Sequence, residues 1–417
     1  MSYNFETEEP MKVLGIIAEF NPFHNGHKYF IEEAKKSTGC DYVIAIMSGN
    51  YVQRGTPAIY DKFTRCEMAL SYGVDLVLEL PTLFSTSSAE LFAKSAVCAL
   101  MHTGVITNLC FGGENNDLSA FLQYSRLFID EPPIFQEKLN QGLKSGLSFP
   151  AARKKAAVSY LEQHNNFTAA SFLDTPNNIL GVEYMKALLS FSSTIKPSVV
   201  KRKESAHHSL SLSNPIVSAS ALRNLISEQN DLQQLAPFVP EKVLEILNHT
   251  SYYSTDIKAL EQALLYKLLT EEDFSSYLDC SPMLSDKINN YKYQYTKYDS
   301  FLASLKSKDI TMTRLQRMLL HILLNIKESD YLQMKDSGFI TYLRPLGLKR
   351  SSSALIKALK KNSDLPYLEH PKDYKKLLSQ DNAKQFEKEL FAAHLYKKFS
   401  ITTTPFVHEF QQSLILQ

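Results

Sequence analysis

The sequence of 417 residues has no tryptophan, only five cysteines and no excess of charge of either sign. The cysteines (Cys40, Cys66, Cys98, Cys110 and Cys280) are odd in number and far apart, and none forms a Cys-x-x-Cys pair. This spacing argues against a disulfide framework or a zinc ribbon. No set of residues has the spacing of metal ligands, and we therefore expect no metal site built from side chains. Because 45 Lys and Arg face 44 Asp and Glu, any polyanion must bind to a local basic patch and not to an overall field.

Long apolar runs and targeting signals are also missing. Residues 1–10 are polar and acidic, unlike a signal peptide, and predict a disordered leader. The buried-looking runs, such as Tyr42 to Met47, are far shorter than a membrane span. With 44% apolar and 21% charged residues, the chain has ordinary globular composition, and its length allows two or three domains. We expect a cytoplasmic protein with no membrane partner and no obligate protein partner.

Strands and helices alternate over the first half of the chain. Apolar runs predict strands at Val13–Phe20, Tyr42–Met47, Asp75–Leu80 and Val105–Phe111, and a further strand from Pro197. Because these runs are continuous and helical patterns separate them, they favour an α/β, Rossmann-like parallel sheet covered on both faces. Right-handed crossovers then bring the carboxyl ends of the strands to one edge, where such sheets bind ligands.

The second half has a different character. Beyond about residue 230, Leu-rich helical patterns dominate and strand signals nearly vanish. Nine Lys and Arg between Arg344 and Lys376 face three acidic residues, which leaves a local charge of +6. The sequence therefore predicts three parts: the leader at 1–10, an α/β domain at 11–230 and a mainly helical, locally basic region at 231–417.

The clearest chemical feature follows the first predicted strand. His24 and His27 stand on either side of Gly26 at the turn that enters a helix. Imidazoles there can donate to phosphate oxygens, the glycine allows a nucleotide to approach the backbone, and the helix amino terminus attracts anions. A plain turn with two incidental histidines is the alternative.

This segment resembles the H-x-G-H signature of the nucleotidyltransferases. Together with residues 47–55, 74–81 and 176–181, the segment 19–27 resembles the bacterial tRNA(Met) cytidine acetate ligases. The resemblance implies a ligase that uses ATP, in the form of MgATP, to activate acetate as acetyl-adenylate. The acetyl group then passes to N4 of the wobble cytidine of elongator tRNA(Met), with pyrophosphate as the first product and no tightly bound cofactor.

The resemblance also implies particular site residues. His24 and His27 would be catalytic. The ATP site would comprise Ile17, Ala18, Glu19, Phe20, Asn21, Pro22, Phe23, His24, Asn25, Gly26, His27, Lys28, Tyr29, Phe30, Gly112, Asn177 and Arg202. Ser218, Ser220 and Arg223 resemble the superfamily's second phosphate motif and would clamp the β and γ phosphates. Asn177 could instead be a helix N-cap, and Arg202 could belong to a solvated basic rim.

Two basic groups of the second half are candidates for tRNA contacts. Arg314 and Arg317 share one face of a predicted helix, and Arg344, Lys349 and Arg350 open the basic stretch. Such faces are more often simply solvated, and the implied RNA substrate is what makes a phosphate contact credible. Lys62 and Arg65, one helical turn apart, could be a phosphate pair or an ordinary surface pair. Two other functions stay open at this stage: nucleotidyl transfer to a small phosphorylated metabolite, and RNA binding without catalysis.

Overall fold

The computed structural model describes residues 11–164, 171–203, 216–228, 232–249, 252–402 and 404–417. The predicted disordered leader lies outside these residues. The strands are β1 (Val13–Ala18), β2 (Tyr42–Ser48), β3 (Tyr51–Val52), β4 (Thr56–Pro57), β5 (Leu76–Leu80), β6 (Asn108–Gly113), β7 (Lys196–Lys201), β8 (Ser254–Thr255), β9 (Pro345–Leu348), β10 (Ser400–Ile401) and β11 (Ile415–Leu416).

Helices connect these strands and make up most of the second half. They are α1 (Asn25–Thr38), α2 (Lys62–Ser71), α3 (Thr82–Ser85), α4 (Ala89–His102), α5 (Leu118–Asp130), α6 (Pro133–Lys144), α7 (Phe149–Gln163), α8 (Pro176–Ser190), α9 (Ala219–Glu228), α10 (Glu241–Asn248), α11 (Ile257–Thr270), α12 (Pro282–Tyr291), α13 (Tyr298–Leu305), α14 (Met312–Leu323), α15 (Glu328–Asp336), α16 (Ser353–Asn362), α17 (Tyr374–Leu377) and α18 (Gln380–Lys398). Short 3-10 turns lie at Phe172–Asp174, Leu232–Leu235, Lys292–Gln294, Arg350–Ser352, Pro371–Asp373 and Glu409–Gln411.

The main sheet has seven strands in the order β11-β9-β5-β2-β1-β6-β7. Its strands β5, β2, β1, β6 and β7 run parallel, and the predicted α/β class is confirmed. The side chains of β2 alternate between two apolar cores: Ile44 and Ile46 face one, and Val43, Ala45 and Met47 face the other. Because both faces are covered, the strand reads as one continuous apolar run.

The second half of the chain also contributes to this sheet, which corrects the predicted boundary near residue 230. β9 pairs antiparallel with β5, and β11 pairs parallel with β9. The sequence analysis missed both because they are only four and two residues long. The α/β part is therefore completed by residues from the far end of the chain. In the described parts of the chain, no helix has both the length and the apolarity needed to cross a membrane.

A buried group of charges strengthens this junction; we call it the Glu409 cluster. Glu409, which is fully buried, lies 2.6 Å from Lys62 Nζ, 2.7 Å from Arg344 Nη2 and 3.0 Å from Lys397 Nζ. Glu79, near the end of β5, binds Lys62 at 2.7 Å and Arg344 at 2.9 Å. Burial alone would raise the pKa of Glu409, but the three cations lower it well below its usual range. The cluster thus joins α2 and β5 to the last residues of the chain.

Candidate active site

The two histidines are held by the turn between β1 and α1. His24 has extended backbone (φ −147°) and is the N-cap of α1. Its Nδ1 accepts the Gly26 N–H at 3.0 Å, and Nδ1 of His27 accepts the His24 N–H at 3.2 Å. Since each Nδ1 is an acceptor, each neutral imidazole carries its proton on Nε2. The turn therefore fixes two N–H donors at a helix amino terminus.

Both imidazoles are kept neutral by their surroundings. Burial, followed by the charges of Arg202 and Arg223, lowers the pKa of His24 to about 3. Burial, then His24 and Arg202, lowers the pKa of His27 well below its usual value. The two rings lie close together, with centroids 3.8 Å apart. Two neutral donors beside two guanidinium groups form a positive site that suits a phosphate chain.

Gly26 is required by the position of the His24 ring. A Cβ atom on Gly26 would lie 2.8 Å from Cε1 and 2.9 Å from Nδ1 of His24, and 3.4 Å from Cγ2 of Ile216. Any side chain at this position would displace the imidazole that caps the helix. The glycine of the signature therefore serves the histidine geometry directly.

Arg202 reaches the site from the end of β7. Its main-chain N–H donates to Gly113 O at 2.9 Å, and its Cγ would lie 3.4 Å from a Cβ on Gly112, so the arginine stem lies over this glycine. Burial lowers the pKa of Arg202, while the charge of Glu114 opposes that shift. Asn177 Nδ2 donates to Glu114 Oε1 at 2.6 Å, and Thr175, not Asn177, occupies the N-cap of α8. Glu114, which the sequence analysis missed, thus links the two predicted residues.

The predicted phosphate clamp faces the same turn. Arg223 donates from Nη1 to Asn21 O at 2.9 Å and from Nη2 to Ser220 Oγ at 3.0 Å. Ser218 Oγ accepts the Ala221 N–H at 3.2 Å at the start of α9. The structure therefore brings Ser218, Ser220 and Arg223 beside the histidine turn, and their role as a phosphate clamp stays a prediction.

Several other residues of the predicted ATP segment have clear structural duties. Ile17 and Ala18 end β1, and Lys28, Tyr29 and Phe30 lie on α1. Phe20 and Phe23 are buried, with ring centroids 5.1 and 5.5 Å from that of His27. Glu19 Oε1 accepts the Gln53 N–H at 2.9 Å, and Asn21 Oδ1 accepts the Ile59 N–H at 2.8 Å. Pro22 follows a cis peptide bond, and Asn25 Nδ2 donates to Pro237 O at 3.1 Å.

Arg65 is a buried connection that the sequence did not reveal. Its side chain is inaccessible to solvent and donates to four main-chain carbonyls. Nη1 binds Glu19 O at 2.6 Å and Ser48 O at 3.1 Å, Nε binds Tyr60 O at 2.9 Å, and Nη2 binds Gly49 O. Arg65 therefore fixes the ends of β1 and β2 relative to each other. It is a positioning residue, and Lys62 belongs to the Glu409 cluster, so the surface-pair interpretation of these two residues is wrong.

The proposed tRNA residue Arg344 requires a correction. Its side chain is 2% exposed and binds the carboxylates of Glu79 and Glu409. A guanidinium held in this way cannot reach an RNA phosphate without breaking the cluster. The basic stretch misled the prediction because the carboxylates that pair with Arg344 are distant in sequence.

The face of α14 that carries Arg317 and His321 is more deeply buried than the sequence suggests. Arg317 is 7% exposed and its Nε lies 3.3 Å from Asp279 Oδ2. His321, on the same face, is fully buried and lies 3.1 Å from Thr86 Oγ1. This face therefore packs against the first half of the chain, and the prediction of an RNA contact is wrong for Arg317. Arg314 remains half-exposed, 4.0 Å from Asp279.

Lys349 and Arg350 lie at the other edge of the sheet. They follow β9, which runs antiparallel to β5, and Lys349 Nζ is 3.8 Å from Asp75 Oδ1 just before β5 begins. A strand of five residues is roughly 17 Å long. These cations are thus separated by the length of the sheet from the edge that holds His24, although Arg350 is exposed.

Comparison with known proteins agrees with this geometry. The model of the HIGH nucleotidyl transferase family matches residues 11–409. A tRNA(Met) cytidine acetate ligase of Thermoanaerobacter sp. is 38% identical over 405 residues, 95% of this chain and 99% of that protein. The enzyme of the same name from Clostridium perfringens is 40% identical over 361 residues, 85% and 89% of the two chains. The solved structure of Thermotoga maritima TmcAL bound with alpha-thio ATP superposes with a TM-score of 0.87 and 31% identity, covering 98% of this chain and 100% of that one.

Proposed function

The chain belongs to the tRNA(Met) cytidine acetate ligase family of HIGH nucleotidyltransferases, and from this membership we propose the chemistry that its own residues perform. The protein is an ATP-dependent ligase that acts on tRNA(Met). We propose which residues carry out the reaction, and we also propose that acetate is the acid and that N4 of the wobble cytidine is the acceptor. One observation carries these proposals: the imidazoles of His24 and His27, each with its Nδ1 accepting a main-chain N–H, lie together with the charges of Arg202 and Arg223 at the start of α1.

The first step joins acetate to the α-phosphorus of ATP. An acetate oxygen forms the new bond to phosphorus while the bond to the pyrophosphate oxygen breaks, giving acetyl-adenylate and pyrophosphate. His24 and His27 donate to the oxygens on which charge accumulates as pyrophosphate leaves. Arg202 and Arg223 hold the leaving phosphates, with Ser218 and Ser220 at the start of α9. Because both imidazoles are neutral in the free enzyme, they act as hydrogen-bond donors and not as acids.

The second step transfers the acetyl group to RNA. The exocyclic amine of cytidine attacks the acetyl carbonyl carbon, the bond to the phosphate oxygen breaks, AMP leaves, and the amine nitrogen loses one proton to solvent. Both steps need the same anhydride held in one orientation, so proximity is the main contribution of the fold. We propose that the substrate is ATP in the form of its magnesium complex. We propose that the protein acts in the cytoplasm, and its five cysteines, which are all free thiols, are consistent with that location.

A direct test is incubation of the protein with ATP, labelled acetate and elongator tRNA(Met), followed by nuclease digestion and mass spectrometry. We expect N4-acetylcytidine at the wobble position, together with AMP and pyrophosphate. The matched control is the same tRNA with uridine at that position, which offers no exocyclic amine. Label in the control RNA would contradict N4 of the wobble cytidine as the acceptor. Label that stays entirely in small molecules would contradict transfer to RNA and favour a small metabolite as the acceptor.

A further inference from the structure

Five aromatic rings form a continuous row near the end of the chain, which begins at Tyr374, a buried ring that is 6% exposed, and reaches the surface at Phe406 and Phe410. Tyr374 (α17), His394 (α18) and the segment holding Phe406, His408 and Phe410 supply them. Neighbouring ring centroids are 6.2 Å apart for Tyr374 and Phe410, 4.6 Å for Phe410 and His408, 4.1 Å for His408 and His394, and 5.7 Å for His394 and Phe406. Phe406 and Phe410 are each 38% exposed, on either side of the two histidines. We call this row the ring ladder.

The ring ladder is rigidly fixed from beneath. Glu409 lies between His408 and Phe410 in sequence, and its carboxylate is the centre of the Glu409 cluster. The Glu409 N–H also donates to His394 Nε2 at 3.0 Å, and Lys397 Nζ donates to Val407 O at 3.1 Å. The exposed rings are therefore preorganised, which reduces the entropy that a ligand loses on binding them.

The ring ladder also lies at the edge of the sheet that holds the nucleotide site. Glu409 binds Lys62, whose Nζ also binds Glu79 near the carboxyl end of β5. In the sheet, β2 alone separates β5 from β1, so the two strand ends are about 10 Å apart. Arg65, on the same helix as Lys62, binds Glu19 O in the histidine turn. Lys349 and Arg350, by contrast, lie at the far edge.

The chemistry of this surface suits the bases of single-stranded RNA. Lys398 lies over Phe406, with Nζ 4.1 Å from the ring centroid, and Lys375 lies 5.6 Å from the centroid of Tyr374. Exposed aromatic rings beside cations are the usual platform for unstacked bases and their phosphates. The exposed part of the two Phe rings together is roughly 150 Å², far below the ~800 Å² that each partner of a stable protein complex buries. A flat heterocycle fits this area, whereas the two Phe rings by themselves are too small a surface for a stable interface with a second protein copy.

We propose that the ring ladder is a base-stacking platform that holds unpaired nucleotides of the tRNA beside the acetyl-adenylate. The proposal rests on the function proposed above for its choice of RNA. Phe406 and Phe410 each stack on one base, and Lys398 contacts a neighbouring phosphate. The platform explains how a protein with a net charge of +1 holds RNA at the reactive edge of its sheet.

The test compares Phe406→Ala, Phe410→Ala and the double variant with Phe406→Trp and Phe410→Trp, which keep an aromatic face. Phe149→Ala is the matched control, because Phe149 is 51% exposed but lies on α7. Filter binding of elongator tRNA(Met) at several salt concentrations gives the affinity and the salt slope. We expect each Ala substitution to weaken binding roughly tenfold with an unchanged salt slope, because lost stacking releases no counterions. Lys398→Ala should instead reduce the slope by about one.

Formation of acetyl-adenylate without tRNA should be the same in all variants, and the Trp variants should bind tRNA like the unmodified protein. Wild-type tRNA affinity in the double Ala variant would overturn the proposal. So would a dimer, seen by sedimentation, that the double variant abolishes while its tRNA affinity is unchanged. Failure of the unmodified protein to acetylate tRNA would overturn the proposed function alone, because tRNA affinity is measured independently of catalysis.

Discussion

Replacing His24 with Asn separates the two duties of this side chain. Its Nδ1 caps α1 by accepting the Gly26 N–H at 3.0 Å, and its Nε2 carries the proton that we assign to the phosphates. Asn is among the best N-cap residues and places an acceptor near the position of Nδ1, but has no group at the position of Nε2. The variant should therefore keep the fold and lose the donor.

The expected magnitudes differ for the two duties. Loss of one preorganised donor to a developing anion costs roughly a hundredfold to a thousandfold in rate, about 3–4 kcal/mol. Loss of a cap costs about 1 kcal/mol of stability, so His24→Ala should be both slow and destabilised, whereas His24→Asn should be slow with nearly unchanged stability. His24→Gln, which places an amide nitrogen near the position of Nε2, should recover part of the rate while losing the cap.

The assay is acetate-dependent exchange of labelled pyrophosphate into ATP, combined with urea denaturation of each variant. If His24→Asn exchanged pyrophosphate at the normal rate, Nε2 would not contact the phosphates, and His24 would be only a helix cap. If the Asn variant were as unstable as the Ala variant, the assignment of Nδ1 as the capping atom would be wrong.

The remaining predictions concern the buried groups and the junction between the two halves of the chain. Since burial lowers the pKa of His24 to about 3, the unfolded chain binds a proton that the folded chain excludes between about pH 6.5 and 3. The free energy of unfolding should therefore rise with pH across that window, by about 1.4 kcal/mol per pH unit from this group. Urea denaturation at several pH values should show that the free energy of unfolding of the ligand-free His24→Asn variant rises less steeply with pH. Arg65→Lys should lower the free energy of unfolding by about 2–4 kcal/mol and weaken ATP binding, because an ammonium cannot reach four carbonyls; equal stability by denaturation would contradict this role. Glu409→Gln should lower the free energy of unfolding by about 3–5 kcal/mol, since it leaves three buried cations with too little negative charge. A chain ending at residue 230 should give no cooperative thermal transition, because it lacks β9, β11 and the Glu409 cluster.

The first half of the fold was predictable because its strands are long and continuous. The predicted strands at Val13–Phe20, Tyr42–Met47 and Asp75–Leu80 correspond to β1, β2 and β5 within a few residues. The histidine turn was also predictable, because His24, Gly26 and His27 are neighbours in sequence and their spacing suits one turn of a helix.

The rest depends on contacts between distant residues, which a single sequence does not reveal. Arg344 resembles a surface cation until Glu79 and Glu409 are brought to it, 265 and 65 residues away in sequence. Arg65 shows the same limit, since main-chain carbonyls have no sequence signature. The strands β9 and β11 are too short for their patterns to stand out, so the sequence analysis placed the end of the α/β part near residue 230, although the far end of the chain completes the sheet.

The most direct test of the central claim follows the oxygen atoms of acetate. Acetate labelled with oxygen-18 on both oxygens is supplied with ATP and elongator tRNA(Met), and the nucleotide products are analysed by mass spectrometry. If acetate attacks the α-phosphorus, each AMP released on acetyl transfer carries one oxygen-18 atom, and pyrophosphate carries none. Unlabelled AMP, or ADP together with labelled phosphate, would show attack at another phosphorus and would contradict the role assigned to His24 and His27.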